Sequence, residues 1–239
     1  MNIKETSFSL YDGNSMRGWL CEPTGQAEKN PAVLVIHEAL GLVENIKPVL
    51  RRFAQSGYVT FAPDLFDQPE PGPICIAKSM LAMMTNEGDA LRDLDSATRF
   101  LQKQSTVDEN RLAVAGFCMG GGFALLMALR PGIKASAPYY GSSPVYFQQI
   151  EKSCPVVASY GKKDMIFRAP AENLQIALAE TGIEHDFKIY DNAGHSYMTE
   201  DLPGPLYTFG KIGPLQVGYR PDEAEDSWQR MLDFFGKHV

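Results

Sequence analysis

Apolar runs rich in β-branched residues recur along the chain, separated by segments whose apolar positions repeat at helical spacing. Ala32-Val33-Leu34-Val35-Ile36 has no polar position at all, as expected of a strand buried on both faces of a parallel sheet. Tyr58 to Ala62, Arg111 to Ala115, Ala135 to Tyr139, Val156 to Tyr160 and Asp186 to Tyr190 also read as strands. Between them, Val49 to Gln55, the stripe Leu91, Leu94, Ala97 and Leu101, Phe123 to Leu129 and Pro170 to Thr181 predict helices, and a last helix follows Pro221. Upstream, Thr6 to Tyr11 and Met16 to Cys21 flank Asp12-Gly13-Asn14, residues that tolerate the left-handed backbone of a tight turn. The alternation predicts one α/β domain over 1–239, with an N-terminal antiparallel hairpin and about eight mostly parallel strands covered by helices on both faces. Chemistry in such a sheet belongs to the loops after the strand ends at Ile36, Ala115, Tyr160 and Tyr190.

Bulk properties narrow the function classes. At 239 residues, 44% hydrophobic and 21% charged, the chain suits one substantial core and is too apolar for a disordered protein. Its formal charge of -7 provides no basic face, so nucleic acid and anionic membrane surfaces are disfavoured partners and a small molecule is favoured. Cysteines at 21, 75, 118 and 154 lack metal or disulfide spacing, so reduced thiols are expected. With no apolar leader and no apolar run of roughly 18 residues, a cytoplasmic location is expected. Composition is compatible with a monomer and with a homodimer.

After the strand ending at Ala115 stands Gly116-Phe117-Cys118-Met119-Gly120-Gly121-Gly122, then a helical pattern. A G-x-C-x-G turn between strand and helix forces its middle residue into a strained conformation and needs glycines where strand and helix crowd together. It lifts the Cys118 sulfur above the sheet edge, at a helix N-terminus that favours thiolate. The same motif also suits a small buried cysteine beside a close helix crossing, so the later loops decide. Asp164 follows the strand ending at Tyr160, and His195 follows the strand ending at Tyr190, in the chain order nucleophile, acid, histidine. Asp191, on the histidine's own loop, is the rival acid. The first loop reads His37-Glu38-Ala39-Leu40-Gly41, which makes the Ala39 and Met119 N–H groups the candidate oxyanion donors. Glu38 would act on the ionisation of a neighbouring thiol.

Together with Pro63-Asp64-Leu65-Phe66 and Tyr139-Tyr140-Gly141, these motifs resemble the dienelactone hydrolase family across nearly the whole chain. The resemblance implies an α/β-hydrolase fold without a separate lid, a Cys118, Asp164, His195 triad, Glu38 contacting the thiol, and hydrolysis of an enol-lactone or related ester. It also implies Tyr139 as a pocket residue, and Phe66 and Met198 are candidate substrate contacts, as Met83 and Met84 would be if they were not packed in the core. Dienelactone hydrolases hold a substrate carboxylate with arginines, one of them four residues beyond the histidine, where this chain has Thr199. The expected chemistry needs neither metal nor organic cofactor. A ligand-binding scaffold, or a thioesterase or acyltransferase using the same three residues, are the alternatives.

Overall fold

The computed structural model describes residues 1–25, 28–67, 73–143, 147–200 and 205–239. It contains one eight-stranded sheet in the order β1-β2-β4-β3-β5-β6-β7-β8. The strands are β1 (Ile3–Ser9), β2 (Ser15–Cys21), β3 (Asn30–Ile36), β4 (Val59–Pro63), β5 (Val107–Phe117), β6 (Ile133–Tyr139), β7 (Val156–Gly161) and β8 (His185–Tyr190). Pairs β1–β2 and β2–β4 are antiparallel, and every other pair is parallel. The apolar runs and the hairpin thus lie where their patterns put them, with ends moved by a few residues.

The helices are α1 (Ile46–Gln55), α2 (Pro73–Thr85), α3 (Asp89–Gln102), α4 (Met119–Met127), α5 (Phe147–Ile150), α6 (Arg168–Thr181), α7 (Pro205–Ile212) and α8 (Pro221–His238). Adjacent strand residues show that both faces are covered, because successive side chains point to opposite sides. In β4, Thr60 Oγ1 donates to the Leu50 carbonyl of α1 at 3.4 Å, whereas the Phe61 ring meets Phe100 of α3 with ring centres 4.8 Å apart. In β6, Ser136 Oγ donates to the Ala124 carbonyl of α4 at 2.8 Å, and Tyr139, three residues on, donates to the Ser227 carbonyl of α8 at 3.1 Å. Helices α1 and α8 close their layer through Phe53, which packs edge-on against Trp228 at 4.9 Å.

Three helices lie outside the expected pattern: α2, α5 and α7. Helix α2 is apolar nearly all round, Pro-Ile-Cys-Ile-Ala-Lys-Ser-Met-Leu-Ala-Met-Met-Thr, and so carries no stripe for periodicity to detect. It packs against α3 and α4 rather than on the sheet. Helices α5 and α7 are short, of four and eight residues, and α7 begins at Pro205 and contains Gly210. Short helices with such residues owe their form to tertiary packing rather than to propensity.

Candidate active site

Between β5 and α4 the chain turns at Cys118, whose φ of 55° and ψ of -117° lie outside the ordinary regions for a side-chain-bearing residue. Close packing enforces the turn. A Cβ on Gly116 would overlap the Gly120 carbonyl oxygen, one on Gly120 the Ile36 carbonyl oxygen, and one on Gly121 the Tyr139 carbonyl oxygen. The first turn of α4 is therefore wedged between the ends of β3 and β6, and the Cys118 N–H is tied to the Tyr139 carbonyl at 3.1 Å. Cys118 is half-buried. Among the described groups, the N–H of Met119, first in α4, and that of Ala39 have no hydrogen-bond acceptor.

Asp164 follows β7 and is 1% exposed. One oxygen, Oδ1, accepts the backbone N–H groups of Ile166 and Phe167 at 3.1 and 3.0 Å, while Oδ2 lies 2.6 Å from His195 Nδ1. Asp191 is elsewhere: it is largely exposed and pairs with Lys162 at 2.7 Å. The rival acid on the histidine loop thus does not meet the imidazole. His195 is buried between Phe167, stacked on it at 4.8 Å, and the edge of Tyr140 at 5.3 Å. Burial opposes charge on the imidazole, but the charges and hydrogen bonds of Cys118 and Asp164 outweigh it and push His195 up to about 10. His195 thus meets Asp164 through Nδ1 and is held charged by Cys118 as well.

Glu38 sits beside them, 5% exposed. Burial raises its carboxyl above the usual range, opposed by the charge of His195 and by hydrogen bonds from Ser196, Thr199 and Tyr140. Thr199 Oγ1 donates to Glu38 Oε1 at 3.1 Å and lies 3.2 Å from the Tyr140 hydroxyl. Tyr140 and Ser196 have φ of 38° and 51°, so strained backbone gathers around this carboxyl as it does at Cys118. A cavity of about 320 Å³ reaches Glu38 and Thr199 and is walled by Phe117, Met198, Arg52 and Trp228.

Neighbouring residues from the sequence reading take other places. His37 is buried and neutral: Nε2 accepts the Leu65 N–H at 3.1 Å, so Nδ1 carries the proton given to the Glu38 carbonyl at 2.7 Å. It joins the loops after β3 and β4, and Phe66 packs edge-on against it at 5.2 Å. Tyr139 is fully buried, with its hydroxyl on α8, so the structure does not bring it to the cluster. Tyr140, the next residue and just past the end of β6, stands there instead, with its ring 5.3 Å from that of His195 and its hydroxyl 3.2 Å from Thr199 Oγ1. Met198 lines the cavity, Met83 is buried against Gly122, and Met84, expected in the core, is exposed on α2. Tyr140, Ser196 and the role of Thr199 as a donor had no sequence signal beyond adjacency to the motifs.

The antiparallel start, the parallel strands that follow, and a turn after β5 facing residues after β7 and β8 define the α/β-hydrolase fold. The model of the dienelactone hydrolase family matches residues 16–239, and the chain belongs to that family. A Yersinia pestis protein assigned by name as a carboxymethylenebutenolidase is 29% identical over 244 residues, covering 95% of this chain and 85% of its own. The usf protein of Aquifex pyrophilus is 29% identical, covering 95% and 96%. A solved structure assigned as a dienelactone hydrolase from Klebsiella pneumoniae superposes with a TM-score of 0.77 at 26% identity, over all of both chains. A dienelactone hydrolase-like promiscuous phosphotriesterase from metagenomic libraries superposes with a TM-score of 0.83 at 21% identity, covering 100% of this chain and 99% of its own, which is a likeness of fold. Family membership makes the protein a hydrolase of carboxylic esters. Among the described residues no helix is long and apolar enough to cross a membrane.

Proposed function

We propose that Cys118 is the nucleophile, His195 the base and Asp164 the orienting acid in hydrolysis of a small-molecule ester or lactone. The observation that carries this reading is the buried His195–Asp164 contact at 2.6 Å, with the charge of the half-buried elbow cysteine acting on the same imidazole. His195 Nδ1–H donates to Asp164, which orients the other nitrogen, Nε2, to take the thiol proton, and the rise of His195 to about 10 favours that transfer, giving thiolate and imidazolium. The thiolate attacks the ester carbonyl, and the oxyanion receives the N–H groups of Ala39 and Met119. Collapse of the tetrahedral species breaks the bond to the alcohol or enol oxygen, which takes the proton held by His195. Water then loses a proton to His195 and attacks the thioester, returning the thiol and releasing the acid. Glu38 restrains the thiol in the resting enzyme, since its carboxylate opposes a second negative charge nearby. A reducing cytoplasmic location suits a catalyst that depends on a free thiol.

Acyl trapping tests the reading. Quenching turnover of a p-nitrophenyl ester in acid should leave one acyl group on the Cys118 peptide by mass spectrometry, and Cys118→Ala should remain folded with neither adduct nor turnover. Hydrolysis undiminished in folded Cys118→Ala would overturn the nucleophile assignment.

A further inference from the structure

Large apolar side chains left exposed are unevenly spread over the molecule. Met80, Leu81 and Met84 of α2, Met165 and Ile166 after β7, and Phe209 and Ile212 of α7 account for most of them among the described residues. The remainder, Met1, Tyr11 and Ile176, are scattered. All three clustered segments follow carboxyl ends of strands, the edge that carries Cys118.

Backbone bonds join two of them to the site. The Met165 N–H donates to the Pro214 carbonyl at 2.8 Å, the His195 N–H to the Leu215 carbonyl at 2.8 Å, and the Gly218 N–H to the His195 carbonyl at 3.3 Å. The turn after α7 is thus bonded to both the acid loop and the histidine loop. Phe167, next to Ile166, stacks on the imidazole itself. On α7, Phe209 and Ile212 share a face at i,i+3 and are exposed by 72% and 82%. Helix α2 is anchored by Met83 against Gly122 in the nucleophile helix, while Met80 and Met84, at i,i+4, face outward.

We infer that this rim binds the apolar chain of an extended ester whose carbonyl sits at Cys118, an inference that rests on the nucleophile assignment above. Exposed apolar clusters of this kind mark interaction sites, and unbranched methionines adapt to chains of varied shape. Lys162 pairs with Asp191 and Arg168 with Glu172, while Lys163 stands two residues before Met165 and Lys211 between Phe209 and Ile212, so apolar side chains form the rim with cations at its margin. Each methylene of a longer chain that becomes buried on the rim is worth up to about fourfold in kcat/KM.

The test compares p-nitrophenyl acetate and octanoate below their aggregation limits, in the natural protein and in a Met165→Ser, Ile166→Ser, Phe209→Ser, Ile212→Ser variant. All four positions are exposed, so the fold should be retained. The octanoate-to-acetate ratio of kcat/KM is expected on the order of tenfold or more, and the variant should bring it near unity. In Cys118→Ala, calorimetric binding of methyl octanoate against methyl acetate reads the same rim without turnover. An equal ratio in the two proteins, or equal binding of the two methyl esters, would overturn the rim. Octanoate turnover that appears only with phosphatidylcholine vesicles would overturn it too, showing that the patch meets a lipid surface. Loss of the acyl adduct with chain-length-dependent binding intact would instead strike the nucleophile assignment alone.

Discussion

Asp164 and Asp191 are the two carboxylates that chain position allows to orient His195, and their surroundings separate them. Asp164 is buried with both oxygens engaged, whereas Asp191 is 77% exposed and tied to a lysine. Asp164→Asn should lower kcat by on the order of 10⁴, because an amide stabilises the wrong imidazole tautomer. Asp191→Asn should stay within about twofold, as expected of a surface ion pair. Steady-state kinetics decide, and a larger loss from Asp191→Asn would move the orienting role. Glu38 carries a second prediction. Its carboxyl is raised by burial, so the folded protein holds that proton more tightly than the unfolded chain. Stability from this source is fully present below the unfolded value, about 4.5, and is lost as pH rises through the folded one. Glu38→Gln should therefore gain stability relative to the natural protein as pH rises from about 4.5 through the raised folded value, read in urea melts across pH. As Glu38 ionises, its carboxylate opposes thiolate formation, so iodoacetamide should alkylate Cys118 faster in Glu38→Gln, with a gap that widens as pH rises through the raised Glu38 value. A constant gap, or none, would remove the carboxylate from control of the thiol.

The junction of β3, β5 and α4 shows why the catalytic element was legible. Glycine runs are rare enough in strand-to-helix turns that their steric reason can be read directly, and the structure supplies the clashing atoms. Gly120→Ala tests that packing, since its Cβ would strike the Ile36 carbonyl oxygen, a backbone atom that cannot rotate away. The variant should lose about 3 kcal/mol or more in chemical denaturation and displace α4, with activity falling alongside stability. An unchanged denaturation midpoint would mean the junction is looser than its contacts show. The strand pattern was equally readable, because β3 is buried on both faces and leaves a continuous apolar run, and the buried stretches of β4, β6 and β7 are broken only by the small hydroxyl residues Thr60, Ser136 and Ser159. Helices α2 and α7 were not, since one lacks an apolar stripe and the other interrupts its own with glycine. The exchange of Tyr139 for Tyr140 was hidden for a related reason. Tyr139 and Tyr140 are adjacent at a strand end, where successive side chains point to opposite sides, and two tyrosines in a row leave no pattern that tells which of them faces the site.

Across the whole molecule, charge and family membership point in different directions. Relatives carry the name carboxymethylenebutenolidase, yet this chain carries a net charge of -7 and holds Thr199 against Glu38 at the position where the family resemblance implies an arginine. Arg52, the cation on the adjoining cavity wall, is bound by Glu225 at 2.7 Å and lies over Trp228. Lys78 and Arg92 line a second cavity beside α2, together with Glu87, Asp89 and Asp93. Burial and the charges of Asp89 and Asp12 push Asp93 up to about 6, so even there negative charge is in excess. A threonine hydroxyl in place of a charge-assisted arginine contact forfeits on the order of 1.5 to 3 kcal/mol, or roughly tenfold to a hundredfold in affinity for a carboxylate. The overall field adds a long-range repulsion that salt screens within about 10 Å at 0.1 M. A neutral methyl ester should therefore show a higher kcat/KM than the matched acid of the same skeleton. Raising salt from about 0.02 to 0.5 M should narrow the difference by helping the acid alone, because only the charged substrate feels the field. A preference for the acid that weakens with salt would have the opposite sign. It would require a cationic clamp that these contacts do not provide, with Lys78 and Arg92 the first residues to replace.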